Sequence, residues 1–205
     1  MALTDFNGLK SAIALWSKRD DVTDFLDDFI SLAENDIDKS LQLRTNEKRA
    51  LATINNVDRF IVLPTGFIEM RSLRILVGSD WEDVMFRVPD SLNIKETAGT
   101  PYFYTINKQI EFDRVPDKSY QLEMVYYKKL TPLSITNTTN NVLTDYPDVY
   151  LYGSLAHLYR WARDEQNASY YDNFFNQSIA RANMQEKRGR YGASPQIALP
   201  TGEVP

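Results

Sequence analysis

The chain has 205 residues, of which 43% are hydrophobic and 25% charged, and a formal charge of −5. That balance is globular and long enough for one domain or two small ones around a buried core. The absence of cysteine excludes disulfides, thiolate catalysis and cysteine-bound metal, and the acidic balance argues against a general nucleic-acid binder, whose phosphate affinity needs a positive surface.

The opening, MALTDFNGLKSAIALWSKRDD, lacks a basic start followed by an apolar run, so it does not read as a signal peptide. No apolar stretch approaches the roughly 20 residues that span a bilayer, and a soluble protein made in a cytoplasm is expected. Phe6, Leu9, Ile13 and Trp16 recur at helical spacing and predict a helix over Thr4–Ser17. A second helix is predicted over Thr23–Leu41, with Thr23 as its cap and Asp24, Asp27 and Asp28 favouring its positive end. Its apolar stripe is Phe25, Phe29, Ile30, Ala33, Ile37 and Leu41, and the two helices form a hairpin around Arg19–Val22.

From Glu47 the period changes from helical to alternating. Ala50, Ala52 and Ile54 alternate, Asn55-Asn56 signals a turn, and Phe60–Leu63 is a short strand stopped by Pro64. Phe67–Val77 reads as a strand ended by Gly78-Ser79-Asp80, and Val84, Phe86 and Val88 alternate again. Tyr102, Tyr104 and Ile106 lead into Asn107-Lys108, with Ile110 and Phe112 returning as a hairpin. Tyr120, Leu122, Met124 and Tyr126 form a strand with Gln121 and Glu123 on its other face. The middle of the chain, 47–130, is therefore expected to be a small antiparallel β-domain.

Residues 131–141, rich in Thr and Asn, read as a loop. A helix begins at Tyr146-Pro147, because proline suits a first turn and biases the residue before it to an extended backbone. Val149, Tyr152, Ala156 and Tyr159 line one face of it. A last helix is predicted over Asn167–Lys187, with Tyr171, Phe174, Phe175, Ser178 and Ala182 at helical spacing. The segment after it, rich in Gly and Pro, is neither helix nor strand, yet Tyr191, Ile197, Leu199 and Val204 are apolar as a free tail seldom is.

The fold class is thus α+β. An N-terminal helix pair (1–46) and two long C-terminal helices (131–190) form a helical bundle. A small antiparallel β-domain (47–130) is inserted between them, and an extended tail (191–205) follows.

Catalytic chemistry finds no residues to carry it. The one histidine, His157, lies within a predicted helix, so no histidine metal cluster can form within the chain and no G-x-S-x-G elbow supports a triad. The acidic group Asp20, Asp21, Asp24, Asp27 and Asp28 lacks the pattern of a calcium loop and reads as a solvated face. Gly66, Gly78 and Gly99 are isolated and build no phosphate loop. Lys187, Arg188 and Arg190 are candidate phosphate contacts, although complementing the helix C-terminus is the better explanation of them. No cofactor and no metal are expected, and no catalytic residue is nominated. With 12 Tyr, 10 Phe and 3 Trp, the chain carries much aromatic packing area, of the kind that enriches both cores and protein interfaces. Tyr150, Tyr152, Tyr159 and Trp161 point in several directions, so the helix is either buried all round or meets another chain.

Four segments in order resemble the head-to-tail adaptor (connector) proteins of tailed bacteriophages, the short-tailed type especially. They are ALWSKRDDVTDFLDDFISLAENDIDKSLQLR, FIVLPTGFIEMRSLRI, PYFYTINKQIEF with YQLEMVYYKKLTPLS, and NNVLTDYPDVYLYGSLAHLYRWARDEQNASYYDNFFNQSIARANMQEKRGRYG. The resemblance spans Phe6–Gly192; Leu143-Thr144, Pro147-Asp148, Tyr150–Gly153 and Tyr170-Tyr171 carry its most specific part. Gly66 departs from it where an acidic residue is common, and Ser40 and Gln42 where charge is common.

The resemblance implies a virion structural protein at the head-tail junction, assembled in the host cytoplasm. It would form a dodecameric ring between the portal protein and the tail or nozzle proteins, with genomic DNA passing through the lumen unbound and no membrane involved. Candidate interface residues are Tyr146, Asp148, Tyr150, Tyr159 and Trp161 on the helices and Tyr191, Ile197, Leu199 and Pro200 on the tail, which would act as a docking arm. Two rivals differ in class. One is a tail or baseplate component whose β-domain binds carbohydrate through Tyr102, Phe103 and Tyr104; the other is a lytic hydrolase, for which no acid–base pair is apparent.

Overall fold

The structure, a computed structural model, describes residues 3–41 and 43–190. The chain divides into two compact units. One comprises 1–44 and 130–205, the other 45–129.

The first unit is helical. Helix α1 (Phe6–Ser17) starts at Asp5, whose Oδ1 accepts the Gly8 N–H at 2.7 Å, and ends at Lys18 in the left-handed region. A 3-10 turn (Thr23–Phe25) leads into α2 (Leu26–Ser40). The Thr23 hydroxyl donates back to the Asp20 carbonyl at 3.1 Å, so Thr23 is not the cap expected of it, and α2 has no side-chain cap. After the β unit comes a short helix, α3 (Asn141–Asp145), capped by Asn140 through the Leu143 N–H at 2.9 Å. Then follow α4 (Pro147–Trp161), opened by its proline, and the long α5 (Glu165–Arg190). Asp164 caps α5, accepting the Asn167 N–H at 3.1 Å. One core joins Leu9 and Ile13 of α1, Phe29, Ile30 and Ile37 of α2, Val149, Tyr150 and Leu155 of α4 and Phe175 and Ile179 of α5. Gly153 of α4 sits against both α2 and α5. A Cβ there would lie 3.1 Å from the Phe175 ring and 3.2 Å from the Ala33 Cβ.

The second unit corrects the fold class. It is not a small antiparallel insert but two four-stranded sheets, one of them mixed. Sheet A runs β1 (Glu47–Ile54), β8 (Tyr120–Lys128), β3 (Phe67–Val77), β4 (Asp80–Asp83), all antiparallel. Sheet B runs β2 (Phe60–Val62), β7 (Gln109–Phe112), β6 (Phe103–Ile106), β5 (Met85–Phe86). In sheet B the pair β5 and β6 is parallel, joined by the long connection through residues 87–102. Alternation along a chain marks strands but not their partners, which is why the second sheet was not apparent. Residues of both sheets, among them Leu73, Ile75, Ile110, Phe112 and Leu122, close one core.

Turn chemistry varies. Val77 pairs with Asp80 across Gly78-Ser79, and Gly78 takes the positive φ (66°) that its place demands. Asn107-Lys108 turns the β6–β7 hairpin without entering the left-handed region. On β8, Glu123 is buried although its strand period predicts the solvent face. Arg74 lies directly opposite it and bonds it, and Arg49, one diagonal step away, adds a bond of 2.9 Å. The guanidinium of Arg74, ahead of burial and of Arg49, leaves the Glu123 carboxyl below its ordinary range.

Candidate functional site

Surface features of the helical unit are aromatic. Trp161, at the end of α4, is 45% exposed. Its ring centroid lies 5.2 Å from Phe25 and 5.9 Å from Phe29, and the Arg19 guanidinium stacks at 5.7 Å. Tyr159 is half-buried and stacked face to face on Tyr171 at 5.4 Å. Beside them Trp16, Tyr152 and Phe174 continue a run of rings that joins α1, α4 and α5 and ends on the exposed Tyr170. Trp16 thus completes a surface row and not the core stripe in which its spacing placed it.

Tyr150 is different. It is 0% exposed, so it serves the core and presents no side chain to another protein. Its hydroxyl donates to Glu34 Oε1 at 3.1 Å and accepts from Asn140 Nδ2 at 2.6 Å. Glu34 Oε1 also accepts the Leu133 N–H at 2.7 Å, so this network ties α2 to the 130–140 segment. Burial, outweighing those two hydrogen bonds, raises the Glu34 carboxyl above its ordinary range. Glu34 gave no signal in the sequence beyond its place on a mostly apolar face. Next to it lies a cleft of about 340 Å³ lined by Phe6, Asp27, Ser31, Glu34 and Pro132–Thr136.

Tyr146 lies half-buried between α3 and α4 and donates to Glu186 Oε1 at 3.0 Å. Its hydroxyl is pushed up to about 12 by burial and by that carboxylate. Glu186 Oε2 accepts the Arg44 N–H at 2.9 Å. Burial would raise Glu186, but Arg44 and Tyr146 together hold it below its usual range. Asp148 is half-buried in the first turn of α4. Lys187 and Arg188 are exposed in the last turns of α5, and Arg190 is its final residue. Tyr191, Ile197, Leu199 and Pro200 lie outside the described residues.

His157 projects from α4 with Nε2 2.9 Å from Asp36 Oδ2. No group of residues that could hold a metal ion occurs among the described residues. Of the three candidate sugar-stacking residues, Tyr102 is exposed under Arg114 at 5.5 Å, Phe103 is half-buried and Tyr104 is buried. They do not make one exposed platform. The β unit does hold a separate cleft of about 410 Å³, between Phe67–Arg71 of β3 and Phe86, Tyr104 and Ile106.

The model of one protein family, described as the SU10 adaptor protein, matches residues 4–198. The chain belongs to the SU10 adaptor protein family. Membership covers both units and agrees with a phage head-to-tail adaptor. It is the same family type that the four sequence segments resemble. A comparison with curated proteins gave no match. Among the described residues no helix is long and apolar enough to cross a membrane.

Proposed function

We propose that this SU10-family adaptor is a structural subunit of the phage head-tail junction. In this reading it forms a ring between the portal protein and the tail or nozzle proteins, through which the genome passes. The observation that carries the reading is the family match over residues 4–198. Two physical features support it. The helical unit leaves large aromatic side chains half exposed at its surface, including Trp161, Trp16 and Tyr170. The chain's acidic excess falls in the helical unit, while acids and bases balance in 45–129. A conduit that must release DNA should not attract phosphate strongly.

Contacts with neighbours fall to Tyr159 and Trp161, to the half-buried Tyr146 and Asp148, and to the 191–205 segment as a docking arm. The work is mechanical and positional, with no reaction and no cofactor. The test is to mix the full chain with its portal and weigh the product. A complex with many adaptor copies per portal ring supports the reading, and separate species at every salt concentration overturn it.

A further inference from the structure

The outer face of α5 carries a stripe that the helical core does not use. Tyr170, Phe174, Arg181, Met184 and Arg188 stand one or two helical turns apart, a spacing that sets them on one side of a helix. Tyr170 is 55% exposed, and Arg181, Met184 and Arg188 are exposed as well. The opposite side of α5 is occupied, with Ala168, Phe175, Ile179 and Ala182 buried. Arg188 touches Met184 Sδ at 3.8 Å, while Arg181 has no ion pair among the described residues.

The cleft beside α2 has the complementary chemistry. At its floor Glu34 is 8% exposed with both its hydrogen bonds on Oε1, so Oε2 receives no donor among the described residues. Asp27, at its edge, reaches Lys10 at 2.6 Å and is otherwise open. Phe6, Pro132 and Leu133 give apolar wall, and Ile135 stands 82% exposed at the rim. Apolar walls above a carboxylate suit a side chain with an aliphatic stem and a cationic head. A buried carboxylate without a cation is a costly arrangement that an arriving guanidinium relieves.

We propose that the occupant is a second copy of this chain: the α5 stripe of one subunit lies along α2 of its neighbour, and Arg181 enters the cleft toward Glu34 and Asp27. Charge complementarity selects this partner. The acidic excess of the helical unit lies on α2, where Asp27, Asp28, Glu34, Asp36 and Asp38 are offset on the helix only by Lys39, and the last turns of α5 are basic. The two patches differ, so the contact is heterologous and repeats from copy to copy, closing as a ring where the rotation permits. The inference rests on the ring reading above and names its contact.

The cysteine-free chain allows a clean test. Ile135→Cys and Met184→Cys variants, which leave Arg181 in place, are mixed and treated with a short bismaleimide both free and after co-assembly with the portal. Mixed singles should give covalent dimers, and the doubly substituted chain a ladder of higher species. In parallel, Asp27→Arg and Arg181→Asp should each lower the assembled fraction about tenfold, and the combined swap should restore it. Rings that form by mass but show neither the cross-link nor the restoration overturn this contact and leave the ring reading standing. No ring by mass, with or without portal, overturns both.

Discussion

Glu34 and Glu186 are both carboxylates that accept backbone N–H groups from distant segments, and they answer to pH in opposite directions. Burial is the largest influence on Glu34 and holds its folded pKa above the usual 4.5. Its contribution to stability is therefore complete below about pH 4.5 and is lost as pH rises through the folded value. Glu186 has a lowered folded pKa, so its contribution is present above about 4.5 and lost as pH falls through the folded value. Glu34→Gln keeps an acceptor for Leu133 and Tyr150 but removes the titration. Urea unfolding across acid to neutral pH should show wild type losing ground to Glu34→Gln as pH rises, and parallel curves would contradict this. Glu34→Leu strands the Leu133 N–H and the Tyr150 hydroxyl and should cost on the order of 1–3 kcal/mol or more. Gly153→Val adds bulk where a Cβ already meets Phe175 and Ala33, and unfolding should report a loss of roughly 1–3 kcal/mol.

Among the elements, the short α3 leans on one side chain. Asn140 caps it through Leu143, and its Nδ2 serves both the Thr131 carbonyl and the Tyr150 hydroxyl. Asn140→Ala should cost about 1–2 kcal/mol. Hydrogen exchange should rise at Leu143 and its neighbours while amides of β1 and β8 keep their protection. Loss of protection in both units would contradict a local cap. The same helix shows where sequence reading stops. Asn140 before Val142-Leu143 is a cap signal, but five residues are too few to establish a 3.6 period, so 131–141 read as loop throughout. Longer elements were plain: β3 matches its expected span, and α1, α2, α4 and α5 fall within a few residues of theirs. The pairing of β2 with β7 and of β5 with β6 was not legible, because no local pattern states which strands meet. Glu123 and Tyr150 were misplaced for one reason. Each is polar at the tip and finds its partner far along the chain, Arg74 for one and Glu34 for the other.

At the scale of the molecule, both hydrophobic clusters are assembled from residues up to Ala182. Truncation after residue 190 should therefore leave stability within about 0.5 kcal/mol, while weakening attachment to the portal if 191–205 is the docking arm. A truncated chain that fails to fold would place that segment in the core. The family match and the exposed aromatic row meet in one claim: this chain works by assembling with other proteins. The most direct measurement is the mass of the complex formed when the full chain meets its portal ring. A stable complex with a closed ring of adaptor copies on each portal ring is the expected result. Separate portal and monomeric adaptor at every salt concentration would contradict it.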